Sequence, residues 1–185
     1  MSTKITAKVA QEIISHEAIV REAYKDSVGV WTWSIGITNS SGHKVYPRYL
    51  DNPQPLKRCL EIFEWLLREK YMPDVDAAFQ GFTLSEEQVA AALSFHYNTG
   101  GIKKATWVTQ WKNGETEKAY QSIMNWKSPP EIIPRREKER ELFFHGVWSN
   151  NGTAIEYSVR KPSYSPDWAS AKTVEISSIL SELFD

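Results

Sequence analysis

A single cysteine, Cys59, rules out an internal disulfide, and four scattered histidines with no second cysteine rule out the usual zinc-binding spacings. Neither sign of charge is in excess. Lys and Arg number 22 against 23 Asp and Glu, for a formal net charge of -1, which argues against disorder and against bulk nucleic-acid binding. Long apolar runs are missing too. Lys4, Lys8, Gln11 and Glu12 interrupt the first twenty residues, so no export signal is read there, and no later stretch approaches a transmembrane span. The expectation is a protein made soluble in the cytoplasm, which needs another agent to let it out if its target lies outside.

Aromatic residues, by contrast, are plentiful. Eight Trp, eight Tyr and seven Phe in 185 residues suit either a tightly packed small core or a cleft with flat faces for sugar rings. With 41% hydrophobic residues, the chain can bury a sizeable core as one domain or as two small lobes sharing a core.

The periodicity changes along the chain. Ile5, Val9 and Ile13 at four-residue steps, with Ala10 and Ile14 beside them, predict an amphipathic helix from about Thr3 to His16. From Val28 the period becomes two. Trp31, Trp33, Ile35 and Ile37 alternate with Thr32, Ser34, Gly36 and Thr38, a strand with one apolar face. Asn39-Ser40-Ser41-Gly42 signals a turn, and a hairpin returning through Val45 and Tyr46 is expected. Pro53 and Pro55 open a helix striped by Leu56, Cys59, Leu60, Phe63 and Leu67, which runs to about Tyr71 and stops before Pro73. Thr83 and Glu86 form a capping-box pattern before a helix ending at Asn98-Thr99-Gly100-Gly101. Shorter helices are expected near 102–112, 115–126 and 134–144, then a turn-rich stretch over 145–152, a strand from Thr153 to Val159, a loop over 161–166 and a last helix from Trp168 to Leu183.

Hydrolysis of a glycosidic bond with inversion needs one protonated carboxyl to donate to the leaving oxygen and a second carboxylate to activate water. Glu17, where a helix bearing Ile13 and Ile14 gives way to loop, is a candidate for the first. Asp26, nine residues on in a Gly-containing turn, is a candidate for the second, and Thr32 on the polar face of the strand could orient the water. Spacing alone leaves an ordinary reading open: a solvated acid at a helix end, a turn aspartate and a half-buried strand.

The segment over residues 16–38, HEAIVREAYKDSVGVWTWSIGIT, resembles the signature of the phage-type lysozymes, glycoside hydrolase family 24. That signature has a Glu, eight residues, an Asp, five residues and a Thr, in a context like L.AY.D..G.WTIG.GHT. Two further blocks are similar to the family's later helices: LSEEQVAAALSFHYNTGGIKKATW over 84–107 and PRREKERELFF over 134–144. The resemblance covers about 17 to 144 and implies an α+β, lysozyme-like fold. Its small N-terminal lobe would contain the β-hairpin, its C-terminal lobe would be mostly helical, and the active-site cleft would lie between them. It also implies catalytic roles for Glu17 as acid and for Asp26 and Thr32 as holders of the attacking water, and a substrate contact at Asn98. Three positions depart from the pattern: Ala18 and Ser34 stand where the family has Gly, and Ile37 where it has His. The last change removes a supporting residue rather than the acid.

The implied activity is a peptidoglycan muramidase cleaving between N-acetylmuramic acid and N-acetylglucosamine, a phage endolysin acting on glycan strands with no metal or cofactor. It would act as a monomer, without membrane insertion or nucleic acid, depend on a holin for access, and stay in the host cytoplasm until lysis before reaching the periplasm and wall. Residues 1–148 would form the catalytic domain and 149–185 an extension packed on the helical lobe. The rival readings are a lytic transglycosylase, against which Asp26 and Thr32 argue, and a catalytically silent wall-binding or virion structural domain. His16-Glu17-Ala18-Ile19-Val20 begins like a zinc-protease motif, but Val20 stands where the second His must be. Arg135, Arg136, Lys138 and Arg140 alternate with Glu137, Glu139 and Glu141, which suggests a salt-bridged surface. Trp107, Trp111, Trp126 and His96 are read as packing residues.

Overall fold

The computed structural model describes residues 4–149 and 152–185. Thr3 and the pair Asn150-Asn151 of the turn-rich stretch therefore lie outside the described residues. The chain divides into two compact units, one of Met1–Ile13 with Leu67–Ser149, the other of Ile14–Leu66 with Asn150–Asp185. No helix among the described residues is long and apolar enough to cross a membrane.

The second unit is built on a five-stranded sheet in the order β3-β2-β1-β4-β5. Its strands are β1 (Ile19–Lys25), β2 (Trp31–Ile35), β3 (Ile37–Thr38), β4 (Thr153–Val159) and β5 (Pro166–Glu175). Strand β1 was not legible as a strand, because Arg21, Glu22 and Lys25 break its alternation and a register irregularity between Val20 and Tyr24 shifts its faces. The expected return strand through Val45 and Tyr46 is replaced by a short 3-10 turn at Asn39–Ser41 and a loop. That loop covers the sheet instead of pairing with it: Tyr49 stacks on Trp33 at 3.9 Å between ring centroids, with His43 beside them. Trp33 is fully buried, and its indole N–H donates to the Arg21 carbonyl at 2.9 Å, so its polar atom is satisfied inside the core. Helix α2 (Leu56–Leu66) follows, burying Cys59, Leu60, Phe63 and Leu66 as its stripe requires.

The C-terminal residues lie elsewhere than expected. Ile19 pairs in parallel with Glu156, so β4 continues the N-terminal sheet, and β5 closes an antiparallel hairpin over Pro166–Glu175 where a helix was anticipated. Thr173 and Val174 favour strand there, and the ladder to β4 offers hydrogen bonds that an isolated short helix could not match. Only Ser177–Phe184 is helical; it forms α8 and contacts α2. The extension thus belongs to the sheet-containing unit, not to the helical lobe. Deleting residues 152–185 would leave the β1 edge unpaired. We expect the melting temperature to drop by about 5 °C or more, and a calorimetric scan that did not move would show the hairpin to be dispensable.

The other unit is helical: α1 (Ala7–Ile14), α3 (Met72–Ala78), α4 (Glu86–Thr99), α5 (Thr106–Lys112), α6 (Thr116–Ser122) and α7 (Ile133–His145). Helix α1 starts later than the periodicity suggests because the Thr6 hydroxyl caps it, accepting from Val9 N–H at 3.2 Å. Pro73 does not end the preceding helical run. The chain passes through a π-turn at Leu67–Tyr71, and Pro73 falls in the first turn of α3, where a missing N–H is harmless. The cap of α4 is Ser85 with Gln88, each side chain bonded to the other's backbone N–H at 3.2 and 3.0 Å. The Thr83 and Glu86 pattern was a second, unused match to the same motif. Trp107 is 1% exposed and meets Phe79, Phe95 and Phe143 edge-on or tilted, whereas Trp111 and Trp126 are only half-buried.

The charged residues of α7 form the expected salt-bridged surface only in part: Arg140 and Glu141 pair at 3.4 Å on a partly exposed face, but three others turn inward. Arg136 and Glu139 are 0% and 1% exposed, and Arg135 is buried as well. Glu139 takes Arg135 Nε at 3.0 Å on one oxygen and Arg136 on the other, while Arg136 Nε donates to the Trp126 carbonyl at 2.7 Å and its guanidinium lies over Phe95. Alternating charges on a helix ordinarily mean solvent. Here three of them face the core because each is answered by another.

His96 is also a packed residue. Its Nδ1 accepts from Ile102 N–H at 3.4 Å and its Nε2 faces Asp74 Oδ2 at 2.9 Å, with Lys103 on the other Asp74 oxygen at 3.0 Å. Burial holds its pKa below the ordinary 6.5, against the pull of Asp74. A base whose folded pKa is depressed contributes stability that is present above about 6.5 and lost as the pH falls towards its folded value. The slope in that window is at most about 1.4 kcal/mol per pH unit, and urea midpoints between pH 7 and 5 should flatten in His96→Gln.

Candidate active site

Glu17 sits just past α1, its backbone N–H donating to the Ile14 carbonyl at 3.0 Å. The half-buried side chain lies against Gly36, in the turn from β2 to β3. A methyl group on Gly36 would stand 3.0 Å from Glu17 Oε2, and the residue has φ of +63°. Gly36 is thus demanded twice, by the left-handed backbone and by the carboxylate against it. Ser34, two residues before, also has positive φ, 59°, and keeps it by donating its buried hydroxyl to the Cys59 carbonyl at 3.0 Å.

Asp26 follows the last residue of β1. Its Oδ1 accepts from Val28 and Val30 N–H at 2.9 and 2.8 Å, and its backbone N–H donates to the Val30 carbonyl at 3.0 Å. These bonds knot residues 26–30 into a turn and fix the carboxylate plane, an aspartate turn of the kind the side chain favours. Thr32 is 4% exposed, and its hydroxyl donates to the Val30 carbonyl at 2.9 Å. The expected polar, open strand face is not there. After Trp31 every residue of β2 is buried, because the Tyr49 loop covers Trp33 and α2 covers Ser34.

Tyr24 joins these groups, and spacing arguments passed over it. It pairs across the ladder with Thr32. Burial first, then the charges of Glu17 and Asp26, push its phenol well above the usual range. The signal was present as the Tyr of Ala23-Tyr24-Lys25-Asp26. Glu17, Asp26, Thr32 and Tyr24 therefore gather around β1 and β2 of one unit.

Asn98 belongs to the helical unit, exposed at the end of α4. Arg136 donates to its Oδ1. Asn98 lines a pocket of about 380 Å³ with Thr99, Asn125, Trp126, Lys127 and Ser128.

Two carboxylates and a buried donor about a strand pair, preceded by a helix end, also describe the region where a family model, that of phage lysozyme, matches residues 14–139. The chain belongs to the phage lysozyme family. The match takes in more than half of its length and ends before β4. No curated protein sequence matches the chain. Among solved structures, an endolysin from Escherichia coli O157:H7 phage FAHEc1 is similar, with 17% identity and TM-score 0.69 over 81% of this chain and 99% of that one. A P22 lysozyme variant is similar at 23% identity and TM-score 0.59, over 76% of this chain and 98% of its own. The muramidase domain of SpmX from Asticaccaulis excentricus is similar at 21% identity and TM-score 0.60, over 76% of this chain and 97% of that one. The fold of this phage lysozyme is the mixed α and β lysozyme-like one.

In such a lysozyme the packing of Gly36 against Glu17 is open to test. Gly36→Ala should cost about 1–2 kcal/mol for its left-handed backbone and also displace the carboxylate by a few tenths of an ångström, so activity should fall beyond the stability loss. Gly114→Ala is the control. It has φ of +81° with nothing within 4 Å, so it should lower stability alone, and equal activities in the two variants would refute the contact's role.

Proposed function

We propose that this lysozyme is an inverting endo-muramidase that hydrolyses the β-1,4 bond between N-acetylmuramic acid and N-acetylglucosamine, with Glu17 as general acid and Asp26 and Thr32 holding the water. The reading rests above all on one observation: Asp26 and Thr32 are both tied to Val30, the first through its Oδ1 and the second through its hydroxyl, and Glu17 lies against Gly36 in the turn that ends the strand bearing Thr32.

The chemistry follows from that grouping. Glu17 donates its proton to the glycosidic oxygen as the bond to C1 breaks, and water attacks C1 from the opposite side while passing its proton to Asp26. Because both backbone bonds to Asp26 use Oδ1, Oδ2 is the oxygen that would take the water's proton. The Thr32 hydroxyl, with its own hydrogen committed to Val30, would accept the water's other hydrogen. Asn98 would contribute amide donors to the glycan from its pocket, where Trp126 offers an aromatic face.

The protein would act as a phage endolysin on peptidoglycan strands, as a monomer, waiting in the host cytoplasm for a holin to open the membrane. Mass spectrometry of fragments released from purified peptidoglycan tests the core of this. Free reducing muramic acid ends, first in the α configuration, are expected from inversion of a β linkage. Dominant 1,6-anhydro ends would reassign the enzyme as a transglycosylase, and no released fragments would leave a silent wall-binding domain.

A further inference from the structure

The loop joining β4 to β5 reaches back to the strand ends that carry Asp26 and Thr32. The Tyr164 carbonyl accepts from Lys25 N–H at 2.7 Å. Its ring meets Trp31 edge-on at 5.4 Å between centroids, while Tyr46 stacks on Trp31 at 4.7 Å. Lys25 and Trp31 are themselves cross-strand partners, and each immediately precedes one of the two residues given to the water, Asp26 and Thr32. One residue of the extension therefore holds both strands just before the turn that they enclose.

Tyr164 is in turn firmly held. Its phenol donates to Asp51, whose oxygens lie at 2.9 and 3.0 Å, and Lys161 bridges Asp51 at 2.8 Å and Glu22 at 3.2 Å. Its N–H donates to the Arg160 carbonyl at 2.7 Å, and its φ is 59°, in the left-handed region that side chains other than glycine rarely adopt. Such a conformation persists only when its surroundings over-determine it. Here they direct carbonyl and ring onto adjacent strands together. The family match ends at residue 139, so this brace comes from a part of the chain outside it.

We infer that Tyr164 is a positioning residue for hydrolysis: the C-terminal hairpin acts through Lys25 and Trp31 to hold the Asp26 turn in register. The inference rests on the assignment of Asp26 to the water. A small displacement of a group that places a reactant costs rate more than affinity. Tyr164→Ala should therefore lower kcat on peptidoglycan roughly tenfold with KM changed less than about twofold, and Tyr164→Phe, which keeps the ring on Trp31, should recover most of the loss.

Hydrogen exchange supplies a readout independent of activity. In Tyr164→Ala the amides of Lys25, Val28 and Val30 should exchange faster while those of α4 and α7 do not, since a general loss of stability would accelerate all of them. Unchanged kcat with unchanged exchange at Lys25, Val28 and Val30 would overturn the brace, as would a uniform acceleration. Asp26→Ala, measured alongside, separates the two possible failures. If it were fully active, the assignment of Asp26 would fall and the positioning role with it; if it were inactive while Tyr164→Ala kept full kcat and slow exchange, the brace alone would fall.

Discussion

Glu17→Gln is expected to lower hydrolysis of peptidoglycan by at least about 100-fold while leaving the melting temperature within a degree or two of the parent. The amide keeps the size of the side chain and its place against Gly36, but it has no proton to give to a leaving oxygen. A glycosidic bond cleaved without protonation would expel an alkoxide, so the loss should appear mainly in kcat. Substrate affinity should be retained, which makes this variant suited to binding measurements with intact glycan strands. Asp26→Ala should behave similarly for a different reason. Water activation matters only in the transition state, so kcat falls and KM changes little. Full activity in Glu17→Gln, read as reducing ends released per minute, would remove the site assignment altogether.

Glu139→Ala should have the largest effect on stability, about 3–5 kcal/mol. The variant removes the carboxylate that is bonded to two buried guanidinium groups, leaving fully buried Arg136 beside Arg135 without it. Burial pushes the Glu139 carboxyl up while Arg135 and Arg136 pull it down; with both cations present, the paired, ionised form is the one whose hydrogen bonds are met. Conversely, replacing the whole triad by apolar residues of similar volume should be far less harmful, because the desolvation of all three charges is relieved together. Urea unfolding of Glu139→Ala and of the triple variant Arg135→Met/Arg136→Met/Glu139→Leu distinguishes these outcomes, and the expectation fails if the single variant is the more stable of the two. Activity should fall as well in both, since Arg136 also orients Asn98.

Much of this was open to reading in the sequence. The four-residue steps of α1 and α2 and the strand at Thr153–Val159 follow from local side-chain pattern, whereas the run from Trp31 to Thr38, expected as one strand with one apolar face, is two short antiparallel strands, β2 and β3, turned at Gly36, with β2 buried on both faces. Glu17, Asp26 and Thr32 were picked out by their spacing within a family pattern, and the sequence by itself also determined that Gly, not another residue, stands at position 36. What local pattern could not reveal depends on partners distant in the chain. Strand β1 carries charged residues because its neighbours β2 and β4 supply the hydrogen bonds that make it a strand, and β4 lies more than a hundred residues away. The same holds for β5, whose exposed, weakly patterned residues are held by the ladder to β4. Charged residues of α7 read as surface by their type, yet three are buried because Arg135 and Arg136 both bond to Glu139 inside the unit. Tyr164 became visible only in three dimensions, and Tyr24, although it stands in the Ala23-Tyr24-Lys25-Asp26 pattern, gained its place beside Thr32 only there. The significance of each lies in what it touches across the sheet, and burial and proximity to other charges are properties of the packed chain rather than of the residue.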